Sequence, residues 1–336
     1  MQSPAISERS VSKPVLLLGD INVDISMQVE ALPAAGEDRQ AHDLHLSPGG
    51  AVVNSAVVLD RLGQPCALLS HTGTDVLAEQ VMNELRQQTG IDLQYVRCGA
   101  KAHSGVIFVA VTADGERSMY SYRGANLELA PEHLPLEAIQ KAALLHLSGY
   151  GVLQAPHSQA LWKAVELAEA AGVPISLDTG LDPALAAPQD MRRLIARCSV
   201  VVLGMREAQA LFGVGTPQAA LRAVYACGAG MRLAALKLGK AGCALSDGKR
   251  YLECAPFAVK AVDATGAGDA FSAGLLFGWL RGWQMESIGD LANALGALAT
   301  LSRGGGTSLP GRTELQAFLE RKLDARAANL LTLLKE

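Results

Sequence analysis

The chain is poor in aromatic residues and has no basic block. Only 4% of its 336 residues are Phe, Tyr or Trp, so a core has to be built from aliphatic side chains and alanine. The formal net charge is −4, which gives nucleic-acid binding no electrostatic support. The apolar run at 15–18 is too short for a signal peptide or a membrane span. We expect a cytoplasmic protein without nucleic-acid or membrane partners.

Paired cysteines and two familiar nucleotide-binding signatures are also missing. None of the six cysteines forms a Cys-x-x-Cys pair, so we expect free, buried thiols in a reducing compartment and no zinc site. The turn around Gly266 and Gly268 does not contain Gly-x-x-x-x-Gly-Lys-Ser/Thr, which excludes a Walker A loop there. It is not a dinucleotide fingerprint either, because Phe271 stands at the third glycine position.

Apolar residues make up 49% of the chain, and their spacing predicts an α/β domain. A first buried strand is predicted at 14–19, and strands and helices alternate from 143 onward, which is typical of βαβ units around a parallel sheet. Segments at about 20–50 and 95–125 predict strands of a small inserted lid. We predict one domain over 14–325, a disordered segment at 1–13, and a C-terminal tail at 326–336 that can be helical. Helices are predicted at 51–62, 76–88, 157–171, 189–197, 206–212, 217–227, 267–282, 286–302 and 312–324, and further strands at 66–70, 104–111, 117–122, 143–148, 173–178, 199–203, 232–237 and within 242–257.

The stretch at 262–274, Val-Asp-Ala-Thr-Gly-Ala-Gly-Asp-Ala-Phe-Ser-Ala-Gly, is the most informative in the chain. Its glycines lie at the start of a predicted helix, so main-chain N–H groups and the positive end of the helix dipole face one spot. Such a helix start is an anion site, and Asp269 in its first turn is placed to take a proton from a hydroxyl that attacks phosphorus. We expect the dipole to favour ionised Asp269. A plain glycine turn, with Asp269 as a helix-start charge, is the alternative interpretation.

Two segments near the N-terminus indicate a site for a hydroxylated ligand. Asn22 and Asp24 follow the first strand, at the end where open α/β sheets bind ligands, and their alternation directs both to one face. Gly49 and Gly50 precede the helix that carries Asn54, whose amide can donate to and accept from a hydroxyl. An Asn/Asp turn and a plain helix start explain the two segments equally well when each is taken alone.

Together, these segments resemble the ribokinase-like (PfkB) carbohydrate kinases, in the same order along the chain. The string at 262–274 is similar to their signature Asp-Thr-x-Gly-Ala-Gly-Asp, the segment at 19–24 to Gly-x-Ile-Asn-x-Asp, and the segment at 49–56 to Gly-Gly-x-x-x-Asn-x-Ala. The segment Arg-Gly-Ala-Asn at 123–126 resembles the Gly-Ala-Asn turn of ribokinases, the branch with the most similar motifs.

The resemblance implies both a fold and an activity. The implied fold is a ribokinase-like three-layer α/β/α sandwich with a mostly parallel central sheet and a small β-sheet lid. The implied reaction moves the γ-phosphoryl group of Mg-ATP to a primary hydroxyl of a small sugar, ribose or a related pentose or hexose. Asp269 is the implied general base, and Gly266, Ala267 and Gly268 form the implied anion hole. The implied substrate contacts are Asn22, Asp24, Gly49, Gly50, Asn54 and Asp269.

The resemblance also implies sites for the nucleotide and for two metal ions. Glu207 would organise magnesium through water. A monovalent cation such as potassium would bind beside the anion hole. The implied nucleotide contacts are Gly204, Glu207, Lys237, Gly239, Gly242, Gly268 and Asn293. The implied positions of the monovalent cation site are Asp263, Thr265, Ser302, Gly304 and Ser308.

Three departures from the resembled motifs keep alternatives open. Ala51 replaces a lysine of ribokinases and leaves apolar room, so the acceptor can also be a nucleoside of the adenosine or pseudouridine type, or fructose or 2-keto-3-deoxygluconate. Gly204 replaces an asparagine and Lys237 a threonine, which motivates a different class, a catalytically weak sugar or nucleotide sensor. Ribokinase-like proteins often pair through the lid, so a homodimer is a further expectation. The apolar candidates for that lid surface are Leu32, Leu44, Leu46, Ile107 and Val109.

Overall fold

The structure is a computed structural model that describes residues 13–112 and 117–335. The predicted disordered segment at 1–13 lies outside the described residues except for Lys13. The sequence also predicts a turn at Asp114 and Gly115, between the strands at 104–111 and 117–122, and this turn lies outside the described residues too. The strands in chain order are β1 (Val15–Leu18), β2 (Asn22–Val29), β3 (Ala41–Gly49), β4 (Cys66–Thr72), β5 (Val96–Cys98), β6 (Gly105–Val111), β7 (Arg117–Tyr122), β8 (Leu144–Ser148), β9 (Ile175–Asp178), β10 (Val200–Gly204), β11 (Leu233–Lys237), β12 (Cys243–Ser246) and β13 (Tyr251–Cys254).

The α-helices follow the apolar periodicity of the sequence. The helix predicted at 76–88 has those bounds, and the one predicted at 267–282 ends at Leu280. Two helices of six residues, at Leu136–Lys141 and Leu181–Ala186, are too short to show a period and were not predicted. The helices are α1 (Ala51–Arg61), α2 (Val76–Gln88), α3 (Leu136–Lys141), α4 (His157–Ala170), α5 (Leu181–Ala186), α6 (Pro188–Ile195), α7 (Met205–Phe212), α8 (Pro217–Ala226), α9 (Ala267–Leu280), α10 (Met285–Ala299), α11 (Arg312–Glu320) and α12 (Ala325–Leu333).

A mostly parallel sheet separates two layers of helices, as the sequence predicts. Its order is β13-β12-β11-β10-β9-β8-β1-β4-β5, and β12 and β13 join it antiparallel. Side chains of β1 alternate between the two faces: Val15 and Leu17 pack in one core with α1, α9 and α10, whereas Leu16 and Leu18 pack in the other with α4 and α6. Both faces of the sheet are therefore covered, which explains the nearly continuous apolar run of β1.

The lid is a second sheet of four strands in the order β3-β2-β6-β7. In the antiparallel pair of β2 and β3, Asn22 lies opposite Gly49 and Asp24 opposite Ser47, so the two candidate acceptor segments meet at one end of the lid. The segment at 96–98 was predicted in the lid, but β5 pairs with β4 in the main sheet instead. The reason is that β4 would otherwise be the edge of that sheet, with unpaired backbone groups that β5 satisfies.

The C-terminal segment predicted as a tail at 326–336 contains most of α12, which packs on the main body. Ala327 and Leu330 are fully buried in the same core as α9 and α10. The Asp324 side chain caps the helix by accepting from the Ala327 N–H at 2.8 Å. The predicted domain boundary at 325 is therefore not a structural boundary. The apolar face of α12 covers α10, so this helix belongs to the same domain.

Candidate active site

The glycine-rich turn leads directly into α9, as the sequence predicts. Gly266 adopts a left-handed conformation with φ 72°, which glycine reaches without strain, and the chain turns from there into the helix. Residues 270–280 of α9 are buried, so the dipole of the helix lies within the core. Ala270 closes the first turn by donating to the Gly266 carbonyl at 2.8 Å, and the Ala267 N–H donates to the Ala264 carbonyl at 3.3 Å. Gly268 and Asp269 are thus the central residues of the candidate anion hole.

Asn54 holds the Asp269 carboxylate in place. Its Nδ2 donates to Asp269 Oδ2 at 2.7 Å, while its Oδ1 accepts from the Gly306 N–H at 2.7 Å. Ser55 adds a hydrogen bond from its hydroxyl to the Asp269 carbonyl at 3.1 Å. Asn54 was predicted as an acceptor contact, and both ends of its amide take part in joining α1, α9 and the glycine loop. The structure therefore gives it the task of orienting Asp269.

Asp24 is a buried carboxylate without a full set of partners. Among the described residues, nothing hydrogen-bonds to its Oδ1, although the residue is 8% exposed. A methyl group on Gly49 would lie 2.0 Å from that oxygen, so only glycine leaves room for the carboxylate there. Such an orphaned oxygen in a buried site is costly unless a ligand hydroxyl supplies the missing donor.

Asn22 is oriented by Asn126, which the sequence analysis named only as part of a turn. Asn126 donates from Nδ2 to Asn22 Oδ1 at 2.8 Å and accepts from the Ile21 N–H at 2.8 Å. The Asn22 Nδ2 therefore points away from Asn126, toward Gly50. Gly50 has φ 104°, a conformation that favours glycine, and a methyl group there would lie 3.6 Å from Asn22 Nδ2.

Lys237 lies at the anion hole, in a network that sequence reasoning missed. Its Nζ donates to both carboxylate oxygens of Asp178, at 3.0 and 2.9 Å, and Ser272 donates to Asp178 Oδ2 at 2.7 Å. A methyl group on Gly268 would lie 3.4 Å from Lys237 Nζ. Asp178 ends the predicted strand at 173–178, so the same strand-end rule that identified Asn22 would have found it.

Glu207 is fixed at the start of α7 by its own helix. Its carboxylate accepts from the Gly204 N–H, which forms the backbone half of a capping box, and from the Thr179 hydroxyl at 3.1 Å. A methyl group on Gly204 would lie 3.2 Å from Glu207 Oε1. Both of these hydrogen bonds go to Glu207 Oε2.

Of the remaining implied nucleotide contacts, Gly239 and Gly242 lie in the loop after β11 and Asn293 lies on α10. Gly239, with φ 58°, begins a short 3₁₀ turn with open space around its Cα. A methyl group on Gly242 would lie 2.2 Å from the Cys254 carbonyl oxygen, so this glycine packs against the end of β13. Asn293, an implied nucleotide contact, donates its amide to the carbonyls of Cys254 and Ala255, at 3.0 and 3.1 Å. It therefore holds the chain that follows β13.

The two segments of the candidate monovalent cation site meet through one carboxylate. Asp263 Oδ1 accepts from the Thr265 N–H and hydroxyl at 2.9 and 2.8 Å, and its Oδ2 accepts from the Gly304 N–H at 2.9 Å. The Ser308 hydroxyl lies 3.8 Å from a methyl group placed on Gly304, while Ser302 is exposed. The structure therefore brings the two loops together. Asp263 accepts three hydrogen bonds from these loops, two from Thr265 and one from Gly304.

Burial sets the proton affinity of the two central carboxylates. Desolvation, and secondarily the charge of Asp269, raises the pKa of Asp24 to about 7. Desolvation, followed by the charge of Asp178, raises the pKa of Asp269 to about 7, although Asn54 and Lys237 lower it. The sequence predicts that the helix dipole favours the ionised form of Asp269, and burial acts in the opposite direction by raising the pKa of this carboxyl group.

A second buried ion pair, also missed from the sequence, closes the base of the lid. Arg123 donates from Nε and Nη2 to the two Asp20 oxygens at 2.7 and 2.8 Å, and Nη2 lies 3.2 Å from His157 Nδ1. Burial lowers the pKa of His157 to about 4, so the imidazole is neutral at pH 7. The pair ties the end of β1 to the chain that returns from the lid.

Residues 12–312 match the family model described as pfkB family carbohydrate kinase. The chain belongs to the pfkB family of carbohydrate kinases. It is therefore a sugar kinase, a phosphotransferase with an alcohol group as acceptor, on a ribokinase-like fold. The predicted family and fold class are confirmed.

Curated relatives of this pfkB chain carry different substrate names. An ATP-dependent ribose-1-phosphate kinase of Halopiger xanaduensis is 30% identical over 92% of this chain and 99% of its own length. A probable fructokinase-4 of Arabidopsis thaliana is 28% identical over 82% of this chain and 88% of its own. An aminoimidazole riboside kinase of Salmonella typhimurium is 30% identical over 83% of this chain and 90% of its own.

Among solved structures, a putative ribokinase II of E. coli in complex with ATP and Mg²⁺ superposes with a TM-score of 0.82. It is 23% identical and covers 92% of this chain and 100% of its own, a likeness that shows the fold. Within the part of the chain that the structure describes, no helix has the length and apolar character needed to cross a membrane. Nor does that part contain a group of three or more His, Cys, Asp or Glu placed to hold a metal ion.

Proposed function

We propose that this pfkB kinase transfers the γ-phosphoryl group of Mg-ATP to a primary hydroxyl of a small sugar such as ribose or a related pentose or hexose. The observation that carries the proposal is Asp269, held by Asn54 at the start of α9, near enough to Asp24 that its charge raises the pKa of that carboxyl group, whose Oδ1 has no hydrogen-bond partner among the described residues. A base, an anion hole and a hydroxyl-binding carboxylate in one place are the parts that phosphoryl transfer needs.

In the proposed reaction, Asp24 and Asn22 hold acceptor hydroxyls while Asp269 faces the one that reacts. As the acceptor oxygen forms its bond to the γ-phosphorus, its proton passes to the Asp269 carboxylate, and the bond from the γ-phosphorus to the ADP oxygen breaks. The N–H groups of Gly268 and Asp269 stabilise charge on the transferred group. The lid, whose β2 and β3 carry the acceptor contacts, excludes water.

Magnesium fits this site as an ion held mainly by the nucleotide. Glu207 Oε1 is placed to accept from a magnesium-bound water, and the described residues hold no acidic cluster that binds the ion directly. When bound, magnesium neutralises charge on the phosphates.

A nucleoside acceptor is the second candidate, because one relative is named an aminoimidazole riboside kinase and because Ala51 removes a long side chain near the acceptor. The sensor function is the less favoured alternative. Lys237 replaces the threonine of the resembled motif, but it brings a positive charge close to Gly268 in the candidate anion hole. Fructose and 2-keto-3-deoxygluconate stay among the sugars to be compared.

The proposal is tested by ADP formation from Mg-ATP over a panel of pentoses, hexoses, keto-deoxy sugars, sugar phosphates and nucleosides. We expect one acceptor class to give a kcat/KM well above the others. Phosphorus-31 NMR of the product identifies the oxygen that receives the phosphoryl group. Binding of ATP without turnover of any acceptor would contradict the proposal and support the sensor function.

The activity is expected to fall on acidification through about pH 7. Because burial raises the pKa of Asp269 to about 7, the ionised base is lost as the pH falls below that value, and kcat/KM should drop about tenfold per pH unit. Asp24 and Asp269 influence each other, so the measured midpoint belongs to the pair. A pH profile of kcat/KM from 5.5 to 9 checks this, and a flat profile down to pH 5.5 would contradict the assignment of the base.

We also propose that potassium binds between the segments that carry Asp263 and Gly304 and orders the turn before α9. Potassium is expected to raise kcat relative to lithium at equal ionic strength. Tetramethylammonium serves as the control for ionic strength, because it is too large for such a site. Equal kcat in potassium, lithium and tetramethylammonium salts would contradict the proposed potassium site.

The lid-mediated homodimer and the cytoplasmic location stay proposals. Exposed apolar side chains support the first: Leu44 is 64% exposed, Tyr120 is 74% exposed and Leu32 is 46% exposed, whereas Val109 is buried inside the lid. Six free cysteines, four of them buried, suit a reducing compartment. Sedimentation equilibrium of the purified protein tests the dimer.

A further inference from the structure

Lys237 brings a full positive charge to the start of α9. It ends β11, and its Nζ lies within 3.0 Å of both oxygens of Asp178. An ammonium group has three N–H donors, of which Asp178 takes two. The third is available on the side of Gly268, where a methyl group would lie 3.4 Å from Nζ.

The network keeps this lysine charged although most of its side chain is shielded from water. Burial lowers the pKa of Lys237, but the charges of Asp178 and Glu207 raise it more, and the pKa lies above its usual value. Ser272 fixes Asp178 by donating to its Oδ2 at 2.7 Å. Since Ser272 follows Gly268 by four residues, both lie on one face of α9. One helix therefore supplies the anion hole and the hydroxyl that aligns the cation beside it.

Resting on the proposed function, we infer that Lys237 binds the γ-phosphoryl group of ATP at Gly268, and that Asp178 and Ser272 are its positioning residues. A lysine ammonium is a compact charge that suits phosphate oxygens. Before ATP binds, the ammonium group of Lys237 is paired with the carboxylate of Asp178, so the site contains no unpaired charge from this lysine. ADP lacks the γ-phosphoryl group, so the contact favours ATP over ADP.

The alternative is that Lys237 only neutralises buried Asp178. To separate the two roles, we would measure Mg-ATP and Mg-ADP affinities by calorimetry for wild type, Lys237→Met and Lys237→Arg. Lys237→Met is expected to weaken Mg-ATP binding by about 10–100-fold, the range of a hydrogen bond to a charged group, with ADP affinity almost unchanged. Lys237→Arg should restore part of the selectivity. Lys163→Met, which changes an exposed lysine of α4, is the matched control.

Two further readouts follow from the same network. Ser272→Ala should lower ATP affinity in the same selective direction, because Asp178 loses one of its fixed donors. Since the charge of Lys237 lowers the pKa of Asp269, Lys237→Met should move the acidic limb of the pH profile to higher pH. If Lys237→Met does not fold, Lys237→Met combined with Asp178→Asn removes both charges of the pair and carries the test instead.

Equal losses of ATP and ADP affinity, or unchanged affinity for both, would overturn the inference and leave Lys237 a counter-ion. These binding measurements need no acceptor. If wild type phosphorylates no acceptor and yet its selectivity for ATP depends on Lys237, the proposed acceptor chemistry fails while the inference stands. If wild type is active and Lys237→Met weakens the affinities for Mg-ATP and Mg-ADP equally, the inference fails and the proposed function stands.

Discussion

Asp269→Asn is expected to lower kcat by about 10²–10⁴-fold, the contribution typical of a general base. An amide cannot take the proton of the acceptor hydroxyl. The change is nearly isosteric, and its oxygen still accepts from Asn54 Nδ2, so the start of α9 is expected to keep its geometry. Affinity for Mg-ATP should be equal or higher, because a buried negative charge near the phosphates is removed.

The measurement is kcat and KM for both substrates, with nucleotide affinity and melting temperature on the same samples. Asp190→Asn is the matched control, since Asp190 also lies in the first turn of a helix, α6, but on the surface. The control should keep the wild-type kcat. Wild-type turnover in Asp269→Asn would show that another group accepts the proton.

Asp24→Asn is expected to have opposite effects on activity and stability. Loss of the charged hydrogen bond to an acceptor hydroxyl should lower kcat/KM for the acceptor by about 10–100-fold. At pH 8 the melting temperature should rise by roughly 2–4 °C, because the buried charge with an orphaned oxygen is gone. The second effect identifies Asp24 as a residue kept for function at a cost in stability.

The sign of the pH dependence follows from the raised pKa of Asp24, which is about 7 in the folded chain against 3.8 for an ordinary aspartate carboxyl group. Its contribution to stability is fully present below about pH 4 and is lost as the pH rises through 7. The gain in Asp24→Asn should therefore be largest at pH 8 and vanish near pH 4. Melting curves at both pH values check this, with Asp38→Asn, an exposed lid residue, as control. A gain independent of pH would contradict a role for the charge.

Local sequence was sufficient where one short segment makes the structure. The turn at Gly266 and the start of α9 follow from one glycine before an apolar helix and another in its first turn, and β1 follows from four consecutive apolar residues. The helix of α12 was expected to be possible, but its packing was not, because only the neighbouring α10 shows that its apolar face is needed. The prediction of 96–98 as a lid strand was wrong for the same reason. Strand pairing depends on which sheet edge is open, and β5 pairs with β4 in the main sheet.

The sequence by itself determined the family, the α/β fold and the segments that carry the site, because glycine turns, strand ends and helix starts are local features. Only the tertiary structure decided what the side chains do. Asn54 and Asp269 lie 215 residues apart, and Lys237 and Asp178 lie 59 apart, so their hydrogen bonds are products of chain packing. The raised pKa values of Asp24 and Asp269 depend on burial, which forms only when lid, sheet and helices come together.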